Sequence, residues 1–547
     1  MKQMFAPLDY VIFIVYAVFI IALGLWVSRS KKGQKKTVEE YFLAGKTLPW
    51  WAIGASLIAA NISAEQIIGM SGSGFAIGLG IASYEWMAAI TLLIVAKYFL
   101  PVFIKQGLYT IPQFIEARFN TSLKTILAIF WIALFVFVNL TSVLFLGATA
   151  LDTIFGTGSG EMVVWFVYGL AFFAAAYSLW GGLSAVAWTD VLQVALLVIG
   201  GLITTIIALQ HVTPSGGLSD GISHIYTVAN EKFHMILKRN NPEFMNLPGI
   251  AVLIGGLWVA NLYYWGFNQY IIQRALAAKS LREAQKGLVF AAFLKLIVPL
   301  IVVIPGIIAF VMYSQADGTA IIQGVENTFN NVNGSINYDK SYPWLISSFV
   351  PIGLKGLVVA ALAAAIVSSL ASMLNSTATI FTMDIYKPYL TKNTSDTHLV
   401  KIGRLSVLAA LIVSCLLAPM LGSIPQMFQY IQEYTGLVSP GILAVFLLGL
   451  FWKKTNTKGA IIGMLASIPV ALALKLLPLE MPFLDQMMYT CIITIVLIVG
   501  VSLSTGDGDD DKKAIPLLKE TFVTNNSFNF SAMAILLIVA VLYALFW

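Results

Sequence analysis

Four polar residues interrupt an otherwise apolar segment near the start of the chain. Residues 55–70 read ASLIAANISAEQIIGM, and Asn61, Ser63, Glu65 and Gln66 lie in the middle of this segment. A helix that unwinds within lipid leaves peptide groups without partners, and a bound ion or solute can supply those partners. The pattern therefore indicates a binding site for a small polar ligand, and a kinked helix packed by small residues is the alternative.

A second apolar segment carries the same kind of interruption. Residues 255–270 read GGLWVANLYYWGFNQY, with Asn261, Gly266, Asn268 and Gln269 among the apolar side chains. Paired interruptions at corresponding positions are typical of the binding sites of secondary transporters. The two segments lie five predicted spans apart, and an odd offset inverts the direction of crossing. We therefore predict two five-helix repeats of opposite topology.

Ionisable residues also lie within predicted spans, where they are functional candidates. Glu85 adjoins Tyr84, and a ring beside a carboxylate suits a sugar, whose hydroxyl groups need acceptors and whose C–H face packs on a flat ring. Lys295 can pair with Glu85 or with Glu65, so a purely structural ion pair is the alternative. Asp190 is interpreted either as a station on a cation path or as a helix N-cap.

Two hydroxyl groups share one face of the ninth predicted span. Ala365, Ser368 and Ser369 lie at positions i, i+3 and i+4, which places them on one side of a helix. One carbonyl and two hydroxyl groups facing the interruption at Asn61 can form an all-oxygen cage for a small, hard cation. The alternative is that the serines bond to the preceding turn of their own helix and pack against neighbouring helices.

The eleventh predicted span starts with an unusually polar and aromatic run, PQMFQYIQEY at residues 425–434. Phe428 and Gln432 lie at i and i+4, so they share a helix face and are expected to border the same cavity. The alternative is an aromatic belt at the membrane–water interface. This span is thus a third candidate element of the ligand site.

The composition requires a membrane around these elements. Of 547 residues, 59% are hydrophobic and only 11% are charged, whereas a soluble domain carries about 25% charged residues. Because the apolar runs lack the alternation of a barrel, we predict an all-α membrane protein with about 14 transmembrane helices. The predicted spans are 9–28, 48–72, 75–101, 123–150, 161–180, 185–209, 249–274, 287–313, 350–383, 400–420, 425–451, 458–476, 485–504 and 527–547.

The basic residues fix the predicted orientation. Of the 32 Lys and Arg residues, 23 lie in six loops that are cytoplasmic if the N-terminus is outside. These loops are 29–46, 102–124, 274–286, 385–404, 453–458 and 506–519. An even number of spans places the C-terminus outside as well.

The formal net charge of +6 does not indicate a nucleic-acid partner, because the basic residues lie in short loops. Residues 211–247 and 316–345 are predicted outer loops, and the acidic run 507–513 is a predicted solvated linker.

Long segments around these residues resemble the solute:sodium symporter family, most of all its sodium/glucose branch. The resembling segments are AANISAEQ, GMSGSG, ASYEWM, WVANLYYWGFNQYIIQR, AALAAAIVSSLASMLNSTATIFTMD and QYIQEYTGLVSPGILAVFLLGLFWKK. The resemblance implies a leucine-transporter-like fold of inverted five-helix repeats with discontinuous helices. A single transmembrane domain would cover residues 1–547, with an extra helix at 9–28, repeats at 48–209 and 249–451, and extra C-terminal helices at 458–547.

The resemblance also implies a role for each site residue by its position. The sodium ligands would be the carbonyls of Ala59, Ile62 and Ala365 and the hydroxyls of Ser368 and Ser369. The sugar-contacting side chains would be Asn61, Gln66, Glu85, Asn261, Lys295 and Gln432. The gate residues would be Met70, Tyr84 and Phe428 on the outer side and Tyr264 on the inner side. Asp190 would receive sodium on its way to the cytoplasm.

The function implied by the resemblance is sodium-coupled symport of a neutral hexose, galactose or glucose, by alternating access in a bacterial inner membrane. The partners would be the sugar, Na⁺ and the lipid bilayer, with no enzyme activity and no nucleic acid. A symporter for inositol, sialic acid or an amino acid is the alternative. A family member has serine where this chain has Ala88, so the sequence leaves the preferred sugar open, together with the stoichiometry and the oligomeric state.

Overall fold

A computed structural model describes residues 5–27, 37–108, 110–155, 160–314, 329, 336–391, 394–422, 424, 426–478, 480–506 and 513–547. Across these ranges the protein is built from helices, and extended backbone is paired only in isolated bridges, such as the one between Leu48 and Ala278. The predicted all-α class is confirmed. Residues 28–36 of the first predicted cytoplasmic loop, most of 316–335 and the acidic run 507–512 lie outside the described residues.

The helices that lie along the predicted spans are numbered α1 to α16. They are α1 (Pro7–Val27), α2 (Trp50–Asn61), α3 (Glu65–Ala76), α4 (Leu79–Lys105), α5 (Thr121–Phe155), α6 (Val163–His211), α7 (Gly256–Leu262), α8 (Gln269–Leu276), α9 (Leu281–Ser314), α10 (Leu354–Leu390), α11 (Asp396–Leu421), α12 (Met427–Gly436), α13 (Ser439–Phe451), α14 (Thr457–Leu476), α15 (Phe483–Thr505) and α16 (Asn526–Leu545). Among the described residues, ten helices are long and apolar enough to cross a membrane. The number reaches 12 if each of two bent pairs is one span.

The predicted number of about 14 spans is not confirmed. Predicted spans 161–180 and 185–209 run together in α6, and predicted span 249–274 is divided into short helices that include α7 and α8. Apolar composition looks the same in a continuous helix and in a divided one. The number of crossings therefore cannot be read from hydrophobic runs alone.

Helix α2 ends and α3 begins at a break within the first interrupted segment. Ile62 has φ −74° and ψ 75°, which is outside the helical region, and the bend between α2 and α3 is 61°. The Ser63 hydroxyl accepts a hydrogen bond from the Glu65 amide at 3.1 Å, at the start of the second half. Residues 61–66 are all buried, so the irregular backbone lies in the protein interior, as a lipid environment requires.

The second interrupted segment is also broken. Asn268 is extended, with φ −77° and ψ 121°, between the π-helical turn Tyr263–Phe267 and α8. Gly256 at the start of α7 lies against the Leu484 carbonyl, and a Cβ at this position would sit 1.8 Å from that oxygen. Glycine is needed here because only a hydrogen atom fits between the two backbones. Both predicted interruptions therefore occur in the structure.

Helix α9 packs along both halves of the broken α2–α3 segment and along α4. Gly306 permits the close approach of α9 to α3. A Cβ there would lie 2.1 Å from the Ser71 carbonyl oxygen and 2.7 Å from the Phe75 amide nitrogen. This packing holds the helix that carries Lys295 directly against the interruption.

Replacing Gly306 with alanine is expected to destabilise the protein by about 1–3 kcal/mol, because the new methyl group overlaps the backbone of α3. The measurement is the Tm of the purified protein in detergent. Gly500→Ala in α15 is the matched control, since a Cβ at that position has no described atom within 4 Å. Equal Tm values for the two variants would contradict the packing of α9 on α3.

Candidate functional site

The two interrupted segments meet α4, α9 and α12 around a cavity of about 40 Å³. All the predicted sugar-contacting and gate residues line this cavity, namely Asn61, Gln66, Glu85, Asn261, Lys295, Gln432, Met70, Tyr84, Tyr264 and Phe428. Ala88 lines it as well. Small-molecule pockets usually measure several hundred Å³. The polar side chains therefore contact one another in this conformation and do not surround an open space.

Lys295 is the centre of the polar network in the cavity. Its ammonium group donates to the Glu85 carboxylate and to the Asn61 side-chain oxygen. It also lies 5.0 Å from the ring centroid of Trp265. Of the two carboxylates that the sequence offers to Lys295, the structure therefore selects Glu85. A buried ion pair needs additional hydrogen bonds of this kind to offset its desolvation.

Two further hydrogen bonds cross the cavity between elements that are distant in sequence. The Gln432 amide donates to the Glu65 carboxylate at 2.9 Å and joins α12 to α3. The Asn61 amide donates to the Tyr264 hydroxyl at 3.0 Å and joins α2 to the second interrupted segment. Glu65 belongs to the polar pattern of the first segment, but the family resemblance gives it no role. Its contact with Gln432 places it in the cavity wall.

Aromatic side chains contribute much of the remaining cavity surface. The Tyr84 and Phe428 rings meet edge to face, with centroids 5.1 Å apart, and Met70 in the same wall is fully buried. The Tyr264 hydroxyl accepts a hydrogen bond from the Tyr270 hydroxyl at 2.7 Å. These contacts bring the predicted gate residues to the cavity, while their roles as gates remain predictions.

Ser369 of α10 lies opposite the C-terminal end of α2. Its hydroxyl is 3.4 Å from the Ala59 carbonyl oxygen and 3.2 Å from that of Ala60, and it donates to both. Ile62 and Ala365, the other predicted carbonyl ligands, are buried on the same two elements. The predicted placement of α10 against the break in α2 is therefore present.

The neighbouring Ser368 donates to the carboxylate of Asp190 in α6. Ser368 and Ser369 thus both bond to other helices and not to the preceding turn of α10. Asp190 lies in the middle of α6, far from either end, so its interpretation as an N-cap is also wrong. The predicted cation-exit residue and one predicted cation ligand are in direct contact.

The placement of Arg274 in the cytoplasmic loop 274–286, which follows from charge counting, is also wrong. The side chain is 1% exposed, its guanidinium group lies 3.5 Å from the Asp190 carboxylate, and it donates to the Ser56 hydroxyl at 2.7 Å. Ser56 in turn donates to Asp190 at 2.5 Å, and Arg274 also donates to Ser372. The one signal in the sequence is the apolar residues on both sides of Arg274, in IIQRALAA.

Many membrane-spanning helices, two of them broken around a buried polar cavity, are typical of secondary transporters. The model of the sodium:solute symporter family matches residues 41–467. The chain belongs to this family. It is therefore a multi-span membrane transporter coupled to sodium and not an enzyme, and Na⁺ is one of its transported substrates.

Curated relatives match most of the chain. The sodium/glucose cotransporter of Vibrio parahaemolyticus is 63% identical over 540 residues, which cover 99% of this chain and 98% of the relative. Sodium/myo-inositol cotransporter 2 of Sus scrofa is 33% identical over 485 residues, covering 85% and 69%. Sodium/glucose cotransporter 4 of Mus musculus is 32% identical over 543 residues, covering 92% and 77%.

A solved structure of a Na⁺-coupled sialic acid symporter, in a substrate-bound outward-open state, has the same fold. It superposes with a TM-score of 0.77 at 24% identity and covers 92% of this chain and 98% of that structure. This match confirms the predicted leucine-transporter-like fold.

Replacing Arg274 with glutamine is expected to lower the stability by about 3–5 kcal/mol, because Asp190 stays buried without its counter-charge. The double variant Arg274→Gln/Asp190→Asn removes both charges and should regain most of the lost Tm. Lys475→Gln breaks the more exposed pair with Glu433, at 2.9 Å, and serves as the control with a small expected effect. If the Arg274 variant is no less stable than the Lys475 variant, the buried ion pair is contradicted.

Proposed function

We propose that the chain carries a neutral hexose, galactose or glucose, into the cell together with sodium. The observation that carries this proposal is the convergence of the predicted sugar-contacting and gate residues on one buried cavity. The proposal is supported by the relative that is 63% identical over nearly the full length, which is a sodium/glucose cotransporter.

The chemistry of the cavity suits a polyol. Glu85 offers hydrogen-bond acceptors, Lys295 offers donors, and the amides of Asn61 and Gln432 offer both. In the described conformation Lys295 bonds to Glu85 and Asn61, and Gln432 bonds to Glu65. Sugar hydroxyls can replace these bonds. A site built in this way discriminates against solutes without matching hydroxyls, because a poor match leaves buried polar groups unpaired. Tyr264 supplies a flat ring for the apolar face of the sugar.

The proposed sodium site lies at the break between α2 and α3. Its ligands are the carbonyls of Ala59, Ile62 and Ala365 and the hydroxyls of Ser368 and Ser369. Unwound backbone carbonyls are a common way to coordinate Na⁺ within a membrane. Ser369 already lies within hydrogen-bond distance of the Ala59 carbonyl. The Ser368 hydroxyl also donates a hydrogen bond to Asp190. This contact marks the proposed route by which sodium leaves the site toward the cytoplasm.

Sodium binding at the break fixes α2, α3 and α10 relative to one another, and Asn61 and Gln66 of the solute cavity lie at this break. The proposed cycle follows from this coupling. Sodium orders the solute site, sugar binding closes Met70, Tyr84 and Phe428 over the cavity, and movement of Tyr264 opens it to the cytoplasm.

The sodium gradient and the membrane potential supply the driving force. One charge crossing ~100 mV releases about 2.3 kcal/mol, and a tenfold sodium gradient adds about 1.4 kcal/mol. One ion per sugar then supports accumulation on the order of several hundred-fold.

A second candidate solute is myo-inositol. It offers the same ring of hydroxyl groups, and a relative that is 33% identical is a sodium/myo-inositol cotransporter. Sialic acid and amino acids carry a carboxylate, whereas Lys295, the only cation among the described residues that line the cavity, is paired with Glu85. Ala88 lies in the cavity wall where a family member has serine, so this position is proposed to influence which hexose is preferred.

The proposed location is a bacterial inner membrane with both termini outside. The excess of Lys and Arg in the loops on one side supports this orientation. The bacterial relative that is 63% identical supports the type of membrane.

Gln432→Ala is expected to reduce sodium-driven uptake of galactose and glucose at least tenfold, because a hydrogen-bond partner of the sugar in the cavity wall is lost. Uptake is measured in proteoliposomes under an imposed sodium gradient, with galactose, glucose and myo-inositol as the panel. Gln429→Ala, on the same helix but outside the cavity lining, is the matched control and should keep most of its uptake. Undiminished uptake of all three solutes by the Gln432 variant would contradict the assignment of this residue to the sugar site.

Ser369→Ala is expected to lower the affinity of the transporter for sodium, because one oxygen ligand of the cation is removed. The measurement is the sodium concentration that gives half-maximal uptake, which should rise by about tenfold. Thr377→Val is the control on the same helix, since its hydroxyl bonds to the Met373 carbonyl of α10 itself at 2.8 Å. A Ser369 variant with the same sodium dependence as the control would rule out this ligand.

A further inference from the structure

A second cavity lies between the start of α9 and the start of α16, at the periphery of the helix bundle. Its volume is about 500 Å³, and it shares no described lining residue with the solute cavity. Arg282 and Lys286 on α9 line one wall, and their i, i+4 spacing places both on one face of the helix. The α16 wall contributes polar groups at its start, Asn525 and Ser527, followed by apolar residues.

The two basic side chains are available to an anionic ligand. Neither has a hydrogen-bond or ion-pair partner among the described residues, and Arg282 is exposed while Lys286 is half-buried. The nearby carboxylate of Glu283 is already engaged, since it accepts a hydrogen bond from the Trp50 amide at 2.8 Å. The groove therefore carries two basic side chains that form no ion pair with a described carboxylate.

Polar groups continue across the groove to α16. The Asn525 side chain caps α16 by accepting from the Phe528 amide at 2.7 Å, and Ser527 beside it is exposed. Hydroxyl and guanidinium groups are common partners of phosphate oxygens. The charged end of the groove thus presents donors from two helices.

The other end of the groove is apolar and open to the membrane. Phe293 is 48% exposed and Phe530 is 79% exposed, and Ala534 and Ile535 lie between the two helices. Exposed aromatic and aliphatic side chains of a membrane-spanning helix face lipid tails. Two basic residues at the edge of such a surface match a molecule with an anionic head and a hydrocarbon tail.

We infer that this groove binds an anionic phospholipid. Its phosphate lies between Arg282 and Lys286, and one acyl chain runs along Phe293 and Ala534. A soluble phosphate would use only the charged end, whereas the continuity of the charged and apolar ends selects a lipid. Basic pockets between transmembrane helices are known sites for acidic lipid head groups. The groove lies on the predicted cytoplasmic side of the membrane, because α9 begins within the predicted cytoplasmic loop 274–286.

The expected consequence is a stabilised contact among three helices. The groove is formed by α9, by α16 and by Trp50 at the start of α2, so a bound lipid contacts all three. A ligand that binds only the folded protein raises its apparent stability. Anionic lipid should therefore raise Tm more than a zwitterionic lipid with the same acyl chains.

The test uses the full chain purified in detergent, with dioleoylphosphatidylglycerol as the anionic probe and dioleoylphosphatidylcholine as the neutral one. Native mass spectrometry measures lipid retained per protein, and Tm is recorded at each lipid concentration. We expect selective retention of phosphatidylglycerol by the unmodified chain. Arg282→Gln/Lys286→Gln should weaken it by roughly ten- to thirtyfold, since each basic residue contributes to the attraction of an anionic head group.

Two further variants make the result specific to the groove. Lys453→Gln/Lys454→Gln removes two exposed charges elsewhere on the same predicted side and should leave retention unchanged. Ala534→Phe fills the apolar end without changing the charge and should also weaken retention, which tests the proposal even if the double charge variant folds poorly.

Equal retention of the two lipids, or undiminished phosphatidylglycerol retention in both Arg282→Gln/Lys286→Gln and Ala534→Phe, would overturn the proposal. An equal loss in Lys453→Gln/Lys454→Gln would overturn it as well. Displacement of the lipid by an equal concentration of glycerol 3-phosphate would show that the head group alone binds and would also overturn it. None of these outcomes depends on sugar transport, so they are separate from tests of the proposed function.

Discussion

The structure depends on the constraint that peptide groups within a membrane must find hydrogen-bond partners. Helix α2 loses its regular geometry at Ile62, in a region that is fully buried. Ser369 of α10 donates to the carbonyls at the end of α2, which helps to satisfy the broken end. A break of this kind is stable only where other elements converge on it. The convergence of α9, α10 and the second interrupted segment is what creates a polar interior in an otherwise apolar protein.

Buried charge obeys the same constraint and links the two candidate sites. Lys295 donates to Asn61, and Arg274 donates to Ser56. Two buried cations therefore bind α2, at positions five residues apart. Each cation also has a carboxylate partner on a further helix. A displacement of α2 therefore alters both networks together. Coupling between a solute and a cation requires a shared element of this kind, whose position both ligands bias.

Much of the site could be predicted from local sequence, because its residues fall where apolar segments are interrupted. Asn61 and Asn268 mark the two breaks, and helical spacing places Phe428 and Gln432 on the same cavity wall. The number of crossings was less predictable. A long apolar run does not reveal whether it contains one continuous helix, as in α6, or several short ones, as around α7 and α8.

The sequence by itself determined which segments enter the membrane and where two of them break, because both properties follow from the composition of about 20 neighbouring residues. Only the tertiary structure decided the partner of each buried polar group. Lys295 has two candidate carboxylates in the sequence, and packing selects Glu85 over Glu65. Arg274 reads as a loop residue by charge, yet it is buried against Ser56, 218 residues away. Burial arises from contacts between distant segments, and no local pattern contains that information.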